Sequence, residues 1–179
     1  MVRVCLVRGG LGLELRARWG RSVCPTGVTL VYDGYVAGTH YTQGSGGDNL
    51  CLSKSPTWDT YNDANLDQSL LYGTEYETSG GQIGLDAVHD YDVPCAVCLV
   101  EDAGTQFMHP GSQVCPTGWT LQYAGYLMGK HIGHTGSAEF TCVDRAATGI
   151  TGSSASNNGM LFYSTEGECG ALPCPRRSH

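Results

Sequence analysis

Nowhere in these 179 residues do apolar side chains recur at helical spacing over twelve positions, so no long amphipathic helix is predicted. No apolar run approaches the roughly twenty residues of a helical bilayer span, which argues against a membrane segment. Glycine is abundant, at 26 residues, but never falls at every third position over a run, and a Gly-X-Y triple helix is excluded. There is no Asn-x-Ser/Thr sequon, so N-linked glycan shielding is not expected. A G-x-S-x-G elbow, an HExxH zinc motif and a phosphate-cradling glycine loop are also missing, and the chain is not expected to be an enzyme. Positive charge is scarce as well. Between residues 22 and 175 only Lys54, Lys130 and Arg145 oppose sixteen Asp and Glu, and five of the remaining basic residues precede residue 22. A body with net charge −7 distributed this way repels phosphate backbones, which removes nucleic acid from the expected partners.

What the chain does contain, it writes twice. Cys24-Pro25-Thr26-Gly27 opens a stretch running to His40, and ninety-one residues later Cys115-Pro116-Thr117-Gly118 opens another running to His131. Without a gap, the same offset carries Cys51 onto Cys142, and 12 of the 28 positions between those cysteines are identical. Further on, Leu70, Tyr72, Thr74 and Glu75 fall on Leu161, Tyr163, Thr165 and Glu166. Two copies are too few for a solenoid, so the chain reads as a tandem duplication forming two halves of one body.

Local patterning makes both halves β. The Pro-Thr-Gly turns are followed by Val28, Leu30 and Tyr32, and again by Trp119, Leu121 and Tyr123, each alternating with other residues as in a strand with one inward face. Gly34 and Gly125 stand where a strand bulges or another backbone comes close. Further strands are predicted at Leu70 to Tyr72 and Met160 to Tyr163, with long Gly- and Ser-rich loops between. Residues 1–19 match nothing in the second half and are expected to be an irregular lead-in. Residues 20–100 form the first repeat and 111–175 the second, together one domain. The first repeat closes with Cys95-Ala96-Val97-Cys98, whose counterparts would fall at 186 and 189, so the second half is expected to have a missing or diverged closing strand. Residues 1–20 make a poor signal peptide because Arg8 and Arg16 interrupt the apolar run, which suggests a removed leader or an incomplete N-terminus.

Nine cysteines at largely repeat-related positions predict an oxidising, extracellular setting. Cys95 and Cys98 in one extended strand would lie roughly 10 Å apart, too far to pair with each other. The Cys-Pro-x-Gly openings, the Gly-Tyr pairs at 34–35 and 125–126 and the Cys-Ala-Val-Cys closing together resemble the non-collagenous C-terminal domain of type IV collagens. The likeness is greatest to short-chain, type IV-like collagens and related collagen-free secreted invertebrate proteins, and covers about residues 19–175. It implies an all-β fold of two homologous subdomains related by pseudo-two-fold symmetry, stapled by disulfides and carrying long ordered loops. It also implies a matrix location, association with further copies, and the pairings Cys24 with Cys98 and Cys51 with Cys95. Cys115 and Cys142 lack their family partners, so they pair with each other, with Cys5 or with another chain, or stay free. Cys169 and Cys174 are expected to close a small loop. Nine being odd, at least one thiol is unpaired or intermolecular.

Three clusters are candidates for chemistry. His131, His134 and Glu139 share one loop and offer the nitrogen and oxygen donors of a metal site. Asp59, Asp63, Asn65 and Asp67 alternate oxygen ligands as a calcium loop does, but lack the glycine and closing glutamate of an EF-hand, leaving calcium as the one candidate cofactor. Trp58, Tyr61, Tyr76, Tyr91 and His89 offer rings on which a sugar could stack. A redox role for Cys95 and Cys98 would need a following helix that the pattern does not supply. The function that the resemblance implies is a secreted, non-catalytic, extracellular-matrix-type module that forms homo-oligomers or binds matrix partners; the alternative is a glycan-binding lectin, with calcium as a possible aid.

Overall fold

Strands occupy nearly every alternating stretch in the computed structural model, which describes residues 1–57, 59, 69–81, 83–168 and 170–172. In chain order they are β1 (Val2–Trp19), β2 (Thr29–Gly38), β3 (Leu50–Ser53), β4 (Tyr72–Glu77), β5 (Pro94–Pro110), β6 (Thr120–Gly129), β7 (Thr141–Asp144) and β8 (Met160–Ser164). Among the described residues the 3₁₀ turn Asp86–Val88 is the one helical element. All eight strands belong to one sheet of order β3-β2-β4-β8-β6-β7-β1-β5, with further pairings of β2 to β5 and β6 to β1. β5 runs straight through the boundary expected at residues 100–111, and β4, third in that order, pairs in parallel with β8, fourth, to join the two halves.

The ninety-one-residue offset of the sequence is also an offset of hydrogen bonding. Gly34, Tyr35, Val36 and Ala37 of β2 face Ser53, Leu52, Cys51 and Leu50 of β3, while Gly125, Tyr126, Leu127 and Met128 of β6 face Asp144, Val143, Cys142 and Thr141 of β7. Ala37 and Gly38 meet Gly73 and Tyr72, as Met128 and Gly129 meet Ser164 and Tyr163.

Two expectations fail together at β1. Residues 1–19 are not an irregular lead-in but an eighteen-residue strand, and the second half does not lack a closing strand, because β1 is that strand. Leu30, Tyr32 and Gly34 of β2 pair with Cys98, Val97 and Cys95 of β5; their equivalents Leu121, Tyr123 and Gly125 pair with Cys5, Val4 and Val2. The physical reason is in the residues themselves. Val4-Cys5-Leu6-Val7 repeats Val97-Cys98-Leu99-Val100, and Val2, Cys5 and Leu6 are wholly buried. β1 and β5 also pair with each other, and the register from Val2 with Pro110 to Val7 with Thr105 is reproduced from Trp19 with Cys95 to Glu14 with Val100. Between these runs the register shifts, where β1 carries two more residues than β5 (17 steps from Val2 to Trp19 against 15 from Cys95 to Pro110) and Gly9 takes φ +126°.

The disulfides follow the same plan. Cys24–Cys98 and Cys51–Cys95 are the pairs the resemblance implies, and Cys5 bonds Cys115, each at a Cα separation of 5.8 Å. Cys5–Cys115 is thus the second-half counterpart of Cys24–Cys98. The counterpart of Cys51–Cys95 is not made, because Val2 stands at the position equivalent to Cys95; Cys142 is a buried free thiol. The bridge from β3 to β5 has to pass over the intervening strand β2, and it does so at Gly34. A Cβ there would come within 2.0 Å of the Leu52 carbonyl oxygen and 3.4 Å of Cys51 Sγ; at Gly125 the corresponding distances are 2.1 Å to Val143 O and 2.8 Å to Cys142 Sγ. The glycine of each Gly-Tyr pair is therefore set by close approach. Cys169 and Cys174 lie outside the described residues.

The main core gathers Val36, Tyr76, Leu85, Val88, Val93, Cys95, Met128, Val143, Met160 and Phe162 from both halves. Leu30 and Tyr32, expected to face inward, are exposed instead: the start of β2 overhangs the core, with a bulge between them, and burial begins at Gly34. Two arginines, Arg18 and Arg21, tie β1 and its following turn to the second half. Arg18 binds Asp144 at 2.6 Å in a largely buried ion pair, and Arg21 donates to the Ala146 carbonyl at 2.7 Å.

Candidate interaction surface

The two halves share a pairing scheme yet differ in what they cover. In the second half, Thr141 and Val143 of β7 and Leu161 and Phe162 of β8 are each no more than 3% exposed. Their first-half equivalents at the ninety-one-residue offset are Leu50 and Leu52 of β3, 51% and 41% exposed, and Leu70 and Leu71, 36% and 48% exposed. β7 is flanked by β6 and, at Trp19, by β1; β3 pairs with β2 and with no other described strand. Tyr35, directly opposite Leu52, extends the same face. Beside it lies a groove of about 290 Å³ lined by Leu50, Leu70, Leu71 and the loop Ser45–Asp48. An edge strand bearing uncovered leucines is a template for pairing with another chain.

A second cluster forms where the two repeat loops meet. His40 lies 4.8 Å from Tyr72, and their equivalents His131 and Tyr163 are 5.0 Å apart, ring centre to ring centre. Tyr41 and His134 join the two pairs at 5.1 Å. Backbone bonds lock the loops together, from Thr135 N–H to the Tyr41 carbonyl and from Glu139 N–H to the Gly47 carbonyl, and the buried Asn49 amide donates to Thr141 Oγ1 at 2.7 Å.

Of the metal set proposed from the sequence, His131 and His134 lie 5.3 Å apart, ring centre to ring centre, but Glu139 does not join them. Glu139 accepts the Asn49 backbone N–H and lines a different cleft, while His134 is held below the usual histidine range by burial and by the fields of His131 and Lys130. That environment disfavours added positive charge. Of the calcium candidates, Asp59 is exposed, and Asp63, Asn65 and Asp67 lie outside the described residues, as do Trp58 and Tyr61. Tyr76 is wholly buried in the core, its hydroxyl donating to the Thr148 carbonyl, and offers no face for a sugar. Tyr91 is partly buried and packs against that same core.

The cleft containing Glu139 has a volume of about 330 Å³, lined by Val4, Trp19, Phe107, Tyr123, Phe140 and Cys142 among others. Burial pushes the Cys142 thiol up to about 12, so it is protonated at neutral pH and is a poor nucleophile. Sequence reasoning missed the β3 edge entirely. Its signal was present in the pairs Leu50/Thr141 and Leu52/Val143, but equivalence alone does not reveal which copy is covered.

No family model matches the chain, and no solved structure matches it. Among the described residues three disulfides indicate an oxidising environment, and no helix is long and apolar enough to cross a membrane.

Proposed function

We propose that this protein is a secreted, non-catalytic module of the extracellular matrix that assembles with a second copy of itself through the β3 edge. The observation that carries the reading is the contrast between equivalent positions: Leu50, Leu52, Leu70 and Leu71 are exposed where Thr141, Val143, Leu161 and Phe162 are buried. Two copies meeting edge to edge would pair β3 antiparallel with itself, a self-complementary contact of two-fold symmetry, and would cover the leucines on both sides. Covering a leucine contributes about 1 kcal/mol when it starts half-exposed, so four on each copy supply a useful driving force.

Sedimentation equilibrium and mass photometry at low micromolar and nanomolar concentration test the proposal. A dimer that dissociates on Leu52→Lys supports it; a wild-type monomer throughout, or a dimer indifferent to Leu52→Lys and Leu50→Asp, overturns it. A second reading, glycan binding, draws on the paired His–Tyr contacts of the repeat loops. A glycan array probed with and without EDTA decides that reading, and a blank array ends it.

A further inference from the structure

Glu77, His89 and Asp90 form the one group of three His, Cys, Asp or Glu among the described residues whose ligand atoms all lie within 4.8 Å of one another. None of them belongs to the clusters chosen from the sequence for metal binding. Glu77 ends β4, and His89 and Asp90 follow the 3₁₀ turn that folds back over that strand. Asp90 N–H donates to the Tyr76 carbonyl at 2.9 Å, and Tyr76 N–H to the Tyr91 carbonyl at 3.1 Å, so the turn is fastened to the strand on both sides of Asp90. Asp90 itself sits at φ +62°, a left-handed conformation that costs a non-glycine residue energy and that the surrounding bonds enforce.

Geometry and charge both suit a cation. Glu77 Oε2 lies 3.7 Å from His89 Nδ1, and Asp90 Oδ1 lies 3.7 Å from His89 Nε2. These contacts are to different ring nitrogens; one nitrogen and one oxygen from each carboxylate lie within 4.8 Å all round, against about 3.4 Å between ligands held 2.0–2.2 Å from a tetrahedral zinc, so side-chain rotation that turns both carboxylates toward one nitrogen closes the site. No Lys or Arg bridges Glu77 or Asp90 among the described residues. Glu75, two residues before Glu77 on the same face of β4, is 2% exposed and has an oxygen, Oε2, without a hydrogen-bond partner. The basic group that faces both Glu77 and Asp90 is His89, which can balance at most one of their two charges. A divalent ion would relieve this excess of negative charge.

We propose that Glu77, His89 and Asp90 bind a divalent transition-metal cation of the zinc type, with remaining coordination positions open. A nitrogen ligand beside two carboxylates selects against calcium and magnesium, which take oxygen. Coordination through Nδ1 displaces the Thr78 N–H, which now donates to that nitrogen at 3.3 Å.

Isothermal titration of the metal-free, fully oxidised protein with zinc chloride tests the site, with calcium chloride as a parallel titrant. One zinc per chain is expected, with little calcium binding at the same concentrations. Asp90→Asn is the sharpest variant, because asparagine keeps the left-handed backbone while removing the charge; it and His89→Gln should each weaken zinc binding at least tenfold without changing the melting temperature in EDTA. In proton–nitrogen spectra zinc should shift the Thr78 amide. Absence of stoichiometric zinc binding overturns the proposal. So does binding that survives Asp90→Asn and His89→Gln, or that is lost instead on His131→Ala.

Discussion

Val2 occupies the place of a cysteine, and Val2→Cys should add a fourth disulfide, to Cys142. The second half then acquires the counterpart of Cys51–Cys95, over a glycine already shaped for it. Position 2 pairs with Gly125 as Cys95 pairs with Gly34, and Val2 and Cys142 share one small buried cluster. The gain follows from loop closure. Because Cys5–Cys115 is already in place, the new crosslink closes a path of only three residues (5−2) plus twenty-seven (142−115), which the chain-entropy model values at about 3–4 kcal/mol. Shortening a fully buried valine gives back about 1 kcal/mol. The remaining ~2–3 kcal/mol corresponds to a rise in melting temperature of about 5–10 °C for a chain of this size. Non-reducing peptide mapping should find residues 2 and 142 in one linked pair, and calorimetry should find the higher transition. A folded Val2→Cys protein in which Cys142 can still be alkylated after denaturation would refute the register of β1 on β6.

Other consequences can be measured directly. Gly125→Ala forces a Cβ to within 2.1 Å of a carbonyl oxygen and should cost more than 2 kcal/mol in urea denaturation, whereas Gly104→Ala, whose nearest contact is a valine methyl at 3.2 Å, should cost clearly less. In native protein Cys142 should resist iodoacetamide for hours at pH 8, and then react fully once urea unfolds the chain. His134 is held below its ordinary value of 6.5, so its contribution to stability is complete above pH 6.5 and lost as pH falls through the lowered value; His134→Gln should flatten the stability profile below pH 6.5 relative to wild type.

Much of the fold could be read from Cys24 onward because a single offset governs both sequence and hydrogen bonding. β2 with β3 and β6 with β7 keep it at every paired position, since side-chain alternation admits no slip of one residue without turning the face over. β1 escaped notice for a specific reason. Val4-Cys5-Leu6-Val7 lies ninety-three residues before its twin rather than ninety-one, owing to the two additional residues taken up near Gly9, and it precedes the half it completes. The candidate sites were harder still. His131 and Glu139 are eight residues apart in one loop but turn to different neighbours, whereas Glu77 and His89 come together only because a 3₁₀ turn reverses the chain between them. Spacing along the chain carries little information about convergence when loops do the positioning.

The placement of β1 also sets a timetable for biosynthesis. Leu6 must wait for Thr120, and Cys5 for a sulfur 110 positions downstream; at roughly 5–20 residues per second of translation, that interval is about 5–20 seconds. Throughout it, Cys5 is a free thiol on an apolar segment, emerging alongside Cys24 and then Cys51, either of which could capture it. Correct oxidation therefore depends on Cys5 staying unpaired until Cys115 has been made, and an oxidoreductase able to undo early mispairing should raise the yield of native material more than any chaperone of hydrophobic surface.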